Sequence, residues 1–363
     1  GNDFANSVAV SPVNNNIYIA GGARQGFPLV SAPNVADYND NNAVLQDAFV
    51  ARFNTQQQLK WSTFYGGPGT DEALKVYADS ASTYIAGYAD NTIDTVGSIF
   101  NMYTRQVTAL NLPNPYIVQF DAQDRFKWAT AIPDSTSAYA TSLVKTGSSI
   151  VLCGYTNSSV YMHLGNSLPA TYSHGGTDGF IVRFNNGMLV NERLIGGSGS
   201  DYITDITKGV NSAYTIAGRT NSINYPVRHS IGAQFVQNNL AGSYDAFITR
   251  MNLADTITWS TYYGGTGNDA ATAITTDVSF KYIVTGFTFS GNFPVDSPPT
   301  GGYYQPYLKG NSDGFIASFT QLGLRTYSTY KGDSCYEYPA DVAVTNDASL
   351  IYICGEGFVG CNN

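Results

Sequence analysis

The sequence predicts an all-β fold, a β-propeller of four-stranded blades, and three observations predict it. A unit of about 66 residues recurs along the 363-residue chain, each unit holds four short strand patterns separated by turn residues, and no segment shows helical periodicity. The composition agrees: 37 Gly, 27 Tyr and 19 Phe stand beside a charged content of only 12%, about half the roughly 25% usual in soluble domains. Aromatic side chains suit a half-buried pleated surface, and Gly and Asn suit the turns between strands.

An Asp that opens an apolar run anchors the repeat. It appears in Asp47-Ala-Phe-Val-Ala-Arg-Phe53, Asp178-Gly-Phe-Ile-Val-Arg-Phe184, Asp245-Ala-Phe-Ile-Thr-Arg-Met251 and Asp313-Gly-Phe-Ile-Ala-Ser-Phe319, with a degenerate copy at Asn114-Pro-Tyr-Ile-Val-Gln-Phe120. The anchors at 47, 114, 178, 245 and 313 are spaced by 67, 64, 67 and 68 residues. A polar turn leads to a second strand, as in Leu59-Lys-Trp-Ser-Thr-Phe-Tyr65 and Ile257-Thr-Trp-Ser-Thr-Tyr-Tyr263. A glycine turn follows (Gly66 to Asp71, Gly196 to Asp201, Gly264 to Asp269), then a third strand, then a fourth ending in a recurring glycine: Gly87, Gly154, Gly218, Gly286 and Gly355. A variable loop of about 25 residues returns to the next anchor.

One four-stranded sheet cannot bury both of its faces. Radial stacking covers each sheet with its neighbours and leaves only short edges. A parallel β-solenoid is the alternative, but its rungs are shorter and lack this hairpin punctuation. The Phe at the third position of each Asp run, and Trp61, Trp128 and Trp259 in a shared column, read as blade packing.

The ends refine the count. Gly1-Asn2-Asp3 aligns with Gly267-Asn268-Asp269, and the chain stops after Leu350 to Gly355, before a further Asp run. The expectation is a single propeller domain over 1–363, most simply six-bladed with one blade split between, or left incomplete at, the termini. The chain then reads as part of a longer protein, or as an unclosed ring whose last edge another chain covers.

The runs Asp47 to Phe53, Trp61-Ser-Thr-Phe-Tyr-Gly-Gly67 and Tyr84-Ile-Ala-Gly-Tyr88 resemble the β-propeller repeat known as SBBP. Units of that repeat read close to D-A-F-V-x-K-F, W-S-T-Y-L-G-G and V-Y-V-T-G-x-T. The resemblance covers nearly the whole chain and departs where Ile132-Pro133 replaces the Gly-Gly pair. It implies a propeller in a bacterial secreted or cell-surface protein, and no particular reaction.

A net charge of −9 without a basic cluster argues against a nucleic-acid partner, which needs cations to displace counterions. No apolar run reaches the roughly 20 residues that span a bilayer as a helix. Four cysteines occur without a C-x-x-C pair, so zinc has little support. Cys335 and Cys361 are the expected disulfide, while Cys153 and Cys354, equivalent in the repeat, are expected to pack as small apolar residues.

The Gly-Gly-x-Gly-x-Asp turns match the opening of a calcium-binding nonapeptide, making Asp71, Asp201 and Asp269 conceivable calcium ligands. That motif works by tandem stacking, and these copies lie about 65 residues apart, so a turn in which Asp caps backbone N–H groups is the preferred reading. Gly310-Asn-Ser-Asp-Gly314 spells G-x-S-x-G but precedes a strand, where a nucleophile elbow needs a helix. His163, His174 and His229 lie in loops without metal-ligand spacing, and Asn157-Ser-Ser159 fits the glycosylation pattern.

The Asp anchors repeat in every blade and so belong to the scaffold. Function is expected in the variable loops, which hold Tyr103, Tyr161, Tyr172, Tyr303, Tyr304 and Tyr307. The functional expectation is a non-enzymatic extracellular or cell-surface module, an adhesin, appendage or envelope-complex component, binding protein subunits or surface glycans, with oligomer or filament assembly conceivable. No cofactor beyond calcium is suggested. A polysaccharide-acting propeller enzyme and a calcium-dependent assembly module are the alternatives.

Overall fold

The computed structural model describes residues 2–31, 40–43, 45–91, 93, 112–132, 136–157, 175–229, 232, 235–298 and 301–357. Among them there is no α-helix, only a single 3₁₀ turn at Val210–Ser212. Five sheets of four antiparallel strands follow one another as meanders. Blade 1 holds β1 (Phe4–Val10), β2 (Ile17–Arg24), β3 (Gln46–Phe53) and β4 (Leu59–Tyr65). Blade 2 holds β5 (Asp71–Ala78), β6 (Ser82–Ala89), β7 (Asn114–Asp121) and β8 (Phe126–Ala131). Blade 3 holds β9 (Ala138–Thr146), β10 (Ser149–Thr156), β11 (Asp178–Asn185) and β12 (Met188–Ile195).

Blade 4 holds β13 (Asp201–Lys208), β14 (Tyr214–Thr220), β15 (Asp245–Met251) and β16 (Ile257–Tyr263). Blade 5 holds β17 (Asp269–Thr276), β18 (Tyr282–Thr288), β19 (Asp313–Phe319) and β20 (Arg325–Lys331). A sixth sheet has two described strands, β21 (Glu337–Val344) and β22 (Ile351–Gly357). The Asp run is thus the third strand of each blade and the Trp column lies on the fourth. This is the β-propeller fold class.

The chain divides into two compact units. One comprises 1–144, 148–172 and 180–192, the other 145–147, 173–179 and 193–363. The same packing rule holds inside each. In the first unit Trp61 meets Phe120 at a centroid distance of 5.2 Å, and Tyr65 meets Tyr116 at 5.6 Å. In the second, Trp259 meets Phe319 at 5.6 Å, and Tyr263 meets Phe315 at 6.0 Å. A fourth-strand aromatic of one blade therefore packs on a third-strand aromatic of the next, and the hydrophobic gain of each sheet depends on its neighbour.

The recurring glycine has a local cause. The first strand carries a β-bulge, for example between Ala73 and Lys75 and between Ala271 and Ala273. The bulge turns a carbonyl inward: a side chain at Gly87 would collide with the Glu72 carbonyl, and one at Gly286 with that of Ala270.

Two expectations change. Cys153 is fully buried in β10, but Cys354 on β22 is exposed, because β22 pairs only with β21 among the described residues and no third strand covers it. The degenerate copy is also shifted by one residue. Ala131 pairs with Tyr116 as Phe64 pairs with Phe49, so Ile132 takes the place of Tyr65, and Pro133, outside the described residues, is equivalent to Gly66 by sequence count.

Candidate functional site

Two kinds of feature can carry chemistry: the glycine turns between blades, and the loop before β19. At each turn the first glycine sits between two carboxyl groups. A Cβ built on Gly264 would lie 2.7 Å from Asp245 Oδ1 and 2.7 Å from Asp269 Oδ2, so those oxygens are at most about 5.4 Å apart. The same construction places Asp47 beside Asp71 at Gly66, Asp178 beside Asp201 at Gly196, and Asp313 beside Glu337 at Gly332.

Each turn carboxylate caps its own turn. Asp71 Oδ2 accepts the Gly67 N–H at 2.6 Å. Asp201 Oδ2 accepts the Gly197 N–H at 2.8 Å and the Ser222 hydroxyl at 2.7 Å. Asp269 Oδ2 accepts the Gly265 N–H and the Ser290 hydroxyl, both at 2.7 Å. N–H and O–H donors thus occupy Oδ2 of each of these acids, the geometry of a turn cap.

The anchor carboxylates cap the loop before them. Asp245 accepts the Ala241 and Gly242 N–H groups at 2.9 and 3.1 Å and the Gln237 amide at 2.6 Å. Asp313 accepts Lys309 N–H and Gly310 N–H, both at 3.0 Å, and the Gln305 amide at 2.5 Å. The amide oxygens of Gln237 and Gln305 then accept the N–H of Gly264 and Gly332. Sequence reasoning missed these glutamines, although each stands eight residues before its Asp. It also missed Glu337, which a count of five from Gly332 would have found, because Gly332-Asp-Ser-Cys-Tyr-Glu337 hides the turn pattern.

Burial shifts these groups. It pushes Asp47 up to about 7, helped by the charges of Asp71 and Asp40. It raises Asp71 to about 6 against the Gly67 N–H, and Asp245 to about 6 against the Ala241 and Gly242 N–H groups. Burial likewise raises Asp201 and Asp269. Glu337 rises to about 7 through burial, with the charges of Asp333 and Asp313 adding to it.

Of the six loop tyrosines, Tyr103, Tyr161 and Tyr172 lie outside the described residues, as do His163 and His174. Tyr303, Tyr304 and Tyr307 are 47%, 38% and 62% exposed. Gln305 ties their loop down: its N–H is held by Thr329, its amide donates to the Tyr307 carbonyl at 3.0 Å, and its oxygen accepts the Tyr303 hydroxyl at 2.8 Å. The Lys331 ammonium stands 5.2 Å from the centre of the Tyr303 ring. His229 is exposed and pairs with Asn238. Ser312 is buried and leads into β19, so it forms no nucleophile elbow. Cys335 is disulfide-bonded; its expected partner Cys361 lies outside the described residues.

A cavity of about 580 Å³ in the second unit is lined by Tyr303, Ile316, Lys331, Glu337, Ile351 and Ile353, among others. Its place in the repeat is telling. Lys331 stands where Tyr65 and Tyr263 stand, and Ile353 where Ile85 and Val284 stand. Tyr65 and Ile85 share a core cluster with Tyr116, and Tyr263 and Val284 share one with Phe315. The cavity is thus the seat that a third-strand aromatic fills in a complete blade.

The sequence matches no family model and no curated protein. Among solved structures, it is similar to the WD40 domain of Neurospora crassa Pan2, at 10% identity and a TM-score of 0.44, over 97% of this chain and 86% of that one. It is also similar to a subtype N10 neuraminidase-like protein of A/little yellow-shouldered bat/Guatemala/060/2010. That match has 6% identity and a TM-score of 0.41, over 98% of this chain and 95% of that one. The class of protein follows from the repeated four-stranded sheets themselves, and neither likeness carries an argument about function. No described helix is long and apolar enough to cross a membrane.

Proposed function

We propose that this chain is a non-enzymatic binding module of a secreted or cell-surface bacterial protein, and that its loops recognise a protein subunit or a surface glycan. The observation that carries the reading is the exposure of Tyr304 and Tyr307 on a loop whose backbone is pinned by Gln305. Rigid display of tyrosines gives contact area with little ordering cost, which is how recognition surfaces gain affinity. The low charge of the chain and its SBBP-like repeats support the setting. Adhesin, appendage and envelope-complex roles all fall within it.

The test is binding of the full protein to a glycan array and to extracted envelope proteins, with a Tyr304→Ala/Tyr307→Ala variant beside it. A hot-spot pair is worth about 2 kcal/mol or more, so the expected loss is roughly 30-fold in affinity with an unchanged melting temperature. A protein that binds neither class, or a variant that binds as well as the parent, overturns the reading.

A polysaccharide-acting enzyme is the second reading, and one observation favours it. Glu337, protonated up to about pH 7, lines the cavity together with Asp333. Release of reducing ends from plant or bacterial polysaccharides, abolished by Glu337→Gln, would establish it. No release from any substrate, or release that survives Glu337→Gln, would reject it.

A further inference from the structure

The carboxylate pairs flanking Gly66, Gly196, Gly264 and Gly332 are more than a sum of turn caps. Asp71, Asp201, Asp269 and Asp245 are fully buried, and Asp47 is 1% exposed. One oxygen of each of Asp47, Asp71, Asp201 and Asp269 is buried without a hydrogen-bond partner, as is Glu337 Oε2. An ionised carboxylate can accept about four hydrogen bonds, so a buried carboxyl group with fewer protein donors is a costly place for charge. Two such groups within about 5 Å compound the cost, because like charges in a low-dielectric setting cannot both ionise cheaply.

The neighbours relieve it only in part: the Thr220 and Thr288 hydroxyls act on Asp201 and Asp269, and the Asp90 backbone on Asp71, yet burial keeps all three raised. Around Asp47 and Asp71 stand Asp40, Glu72 and Asp90, with Tyr88 and the fully buried Tyr116, whose hydroxyl has no partner and feels both aspartates. Around Asp245 and Asp269 stand the hydroxyls of Tyr262 and Tyr330. Tyr225 and Tyr262 face Asp201, with Arg193 acting on Tyr225. Around Asp313 and Glu337 stand Asp333, Tyr303 and Tyr330, and Lys331 lines the cavity beside Glu337.

The repeat supplies an independent observation. Where the anchor is Asn114, the position equivalent to Asp71 is Ala138, so both carboxylates are lost together. The glycine goes with them: Pro133 takes the place of Gly66 in the repeat, and a side chain at Gly66 would collide with both acids, so glycine and carboxyl pair form one set.

We infer that each of these buried pairs carries one proton in the folded protein, which makes this propeller an acid-stabilised fold whose blade-to-blade turns loosen as the pH rises. An acid that stays protonated in the native state beyond its unfolded range stabilises fully below that range. The stability is lost as the pH climbs through the native value, here about 6 to 7. The occupant of the pair is a proton and not a metal ion, since the Oδ2 of each turn acid, the oxygen nearest the glycine between the two acids, already accepts N–H and O–H donors.

Thermal unfolding of the full chain between about pH 4.5 and pH 8.5 in EDTA tests this, beside an Asp71→Asn/Asp269→Asn variant. The parent is expected to melt highest near the acid end, to lose stability from there through about pH 7, and to level off above that, where native and unfolded carboxyls are both ionised. In the variant the amide oxygen keeps the accepted N–H, and the amide NH₂ occupies the partnerless position. Its pH slope should be flatter and its midpoint at the alkaline end higher than the parent's. A carboxylic acid carbonyl band in the infrared spectrum of the parent near pH 6, gone near pH 8.5, is the expected result should the variant fail to fold. The inference is overturned if stability rises across this range, if variant and parent share one slope, or if that band is absent. Calcium that raises the alkaline midpoint, reversed by EDTA, would overturn it too, by making the occupant a cation.

Discussion

β18 and β22 are the same strand of two successive sheets, and their fates differ. Tyr282-Ile-Val-Thr-Gly-Phe-Thr288 is buried along almost its whole length, whereas Ile351-Tyr-Ile-Cys-Gly-Glu-Gly357 is exposed or half-exposed throughout. Both pair with a bulged first strand in the same register. What β18 has in addition is β19 on its other edge, which brings Phe315 and Phe319. Strand pairing alone therefore does not build the core of this fold. The third strand carries the aromatic side chains that fill the gap between blades, and burial follows from it.

The sharpest break of that comparison is at the Trp column. Trp259→Ala removes a fully buried ring that packs on Phe319, and the expected cost is about 3–5 kcal/mol of unfolding free energy. Tyr327→Ala, at the same repeat position in β20, should cost about 1 kcal/mol or less, since that side chain is only half-buried. Equal losses in chemical denaturation would contradict the dependence on a following third strand.

Next in size is the glycine column. Gly286→Ala drives a methyl into the Ala270 carbonyl and should destabilise by about 1–3 kcal/mol, while Gly357→Ala, with open space around it, should be close to neutral. The cysteines give a third contrast. Cys153→Ser replaces a fully buried thiol, which donates to the Ser142 carbonyl at 3.5 Å, with a more polar hydroxyl at an expected cost of about 1–3 kcal/mol. Cys354→Ser should leave the melting curve within about 0.5 kcal/mol of the parent, and a thiol reagent should label Cys354 in the native protein long before Cys153.

The smallest effect expected is electrostatic and exposed. Asp347 caps the turn after β21, accepting Thr345 and Ser349 hydroxyls and the Ser349 N–H. Those bonds hold its carboxyl down to about 2. Being lowered, it supports the turn above the ordinary carboxylate range and ceases to do so as the pH falls towards 2, opposite in sign to the buried pairs. Asp347→Ala should change local amide exchange at Ser349 and Leu350 with no measurable shift in the global melt.

Much of this was legible in order along the chain. The Asp runs, the Trp column, the glycine turns and the final glycine of each unit mark four strands at a fixed period, because strands, hairpins and bulges impose their demands within a few residues of sequence. The aspartates of the glycine turns could be read as caps from spacing alone, since a side chain reaching a backbone N–H four residues away is a local event.

Other features depended on residues that are distant in sequence. That Asp245 and Asp269 face each other across Gly264, that Gln237 and Gln305 bridge anchor and turn, and that Cys354 is exposed while Cys153 is buried were decided by packing between successive sheets. The physical reason is range. Hydrogen-bonding patterns of strands and turns are written in neighbouring residues, but burial, and with it the charge state of a carboxyl group, is conferred by whatever the adjacent blade brings to the other side of the gap.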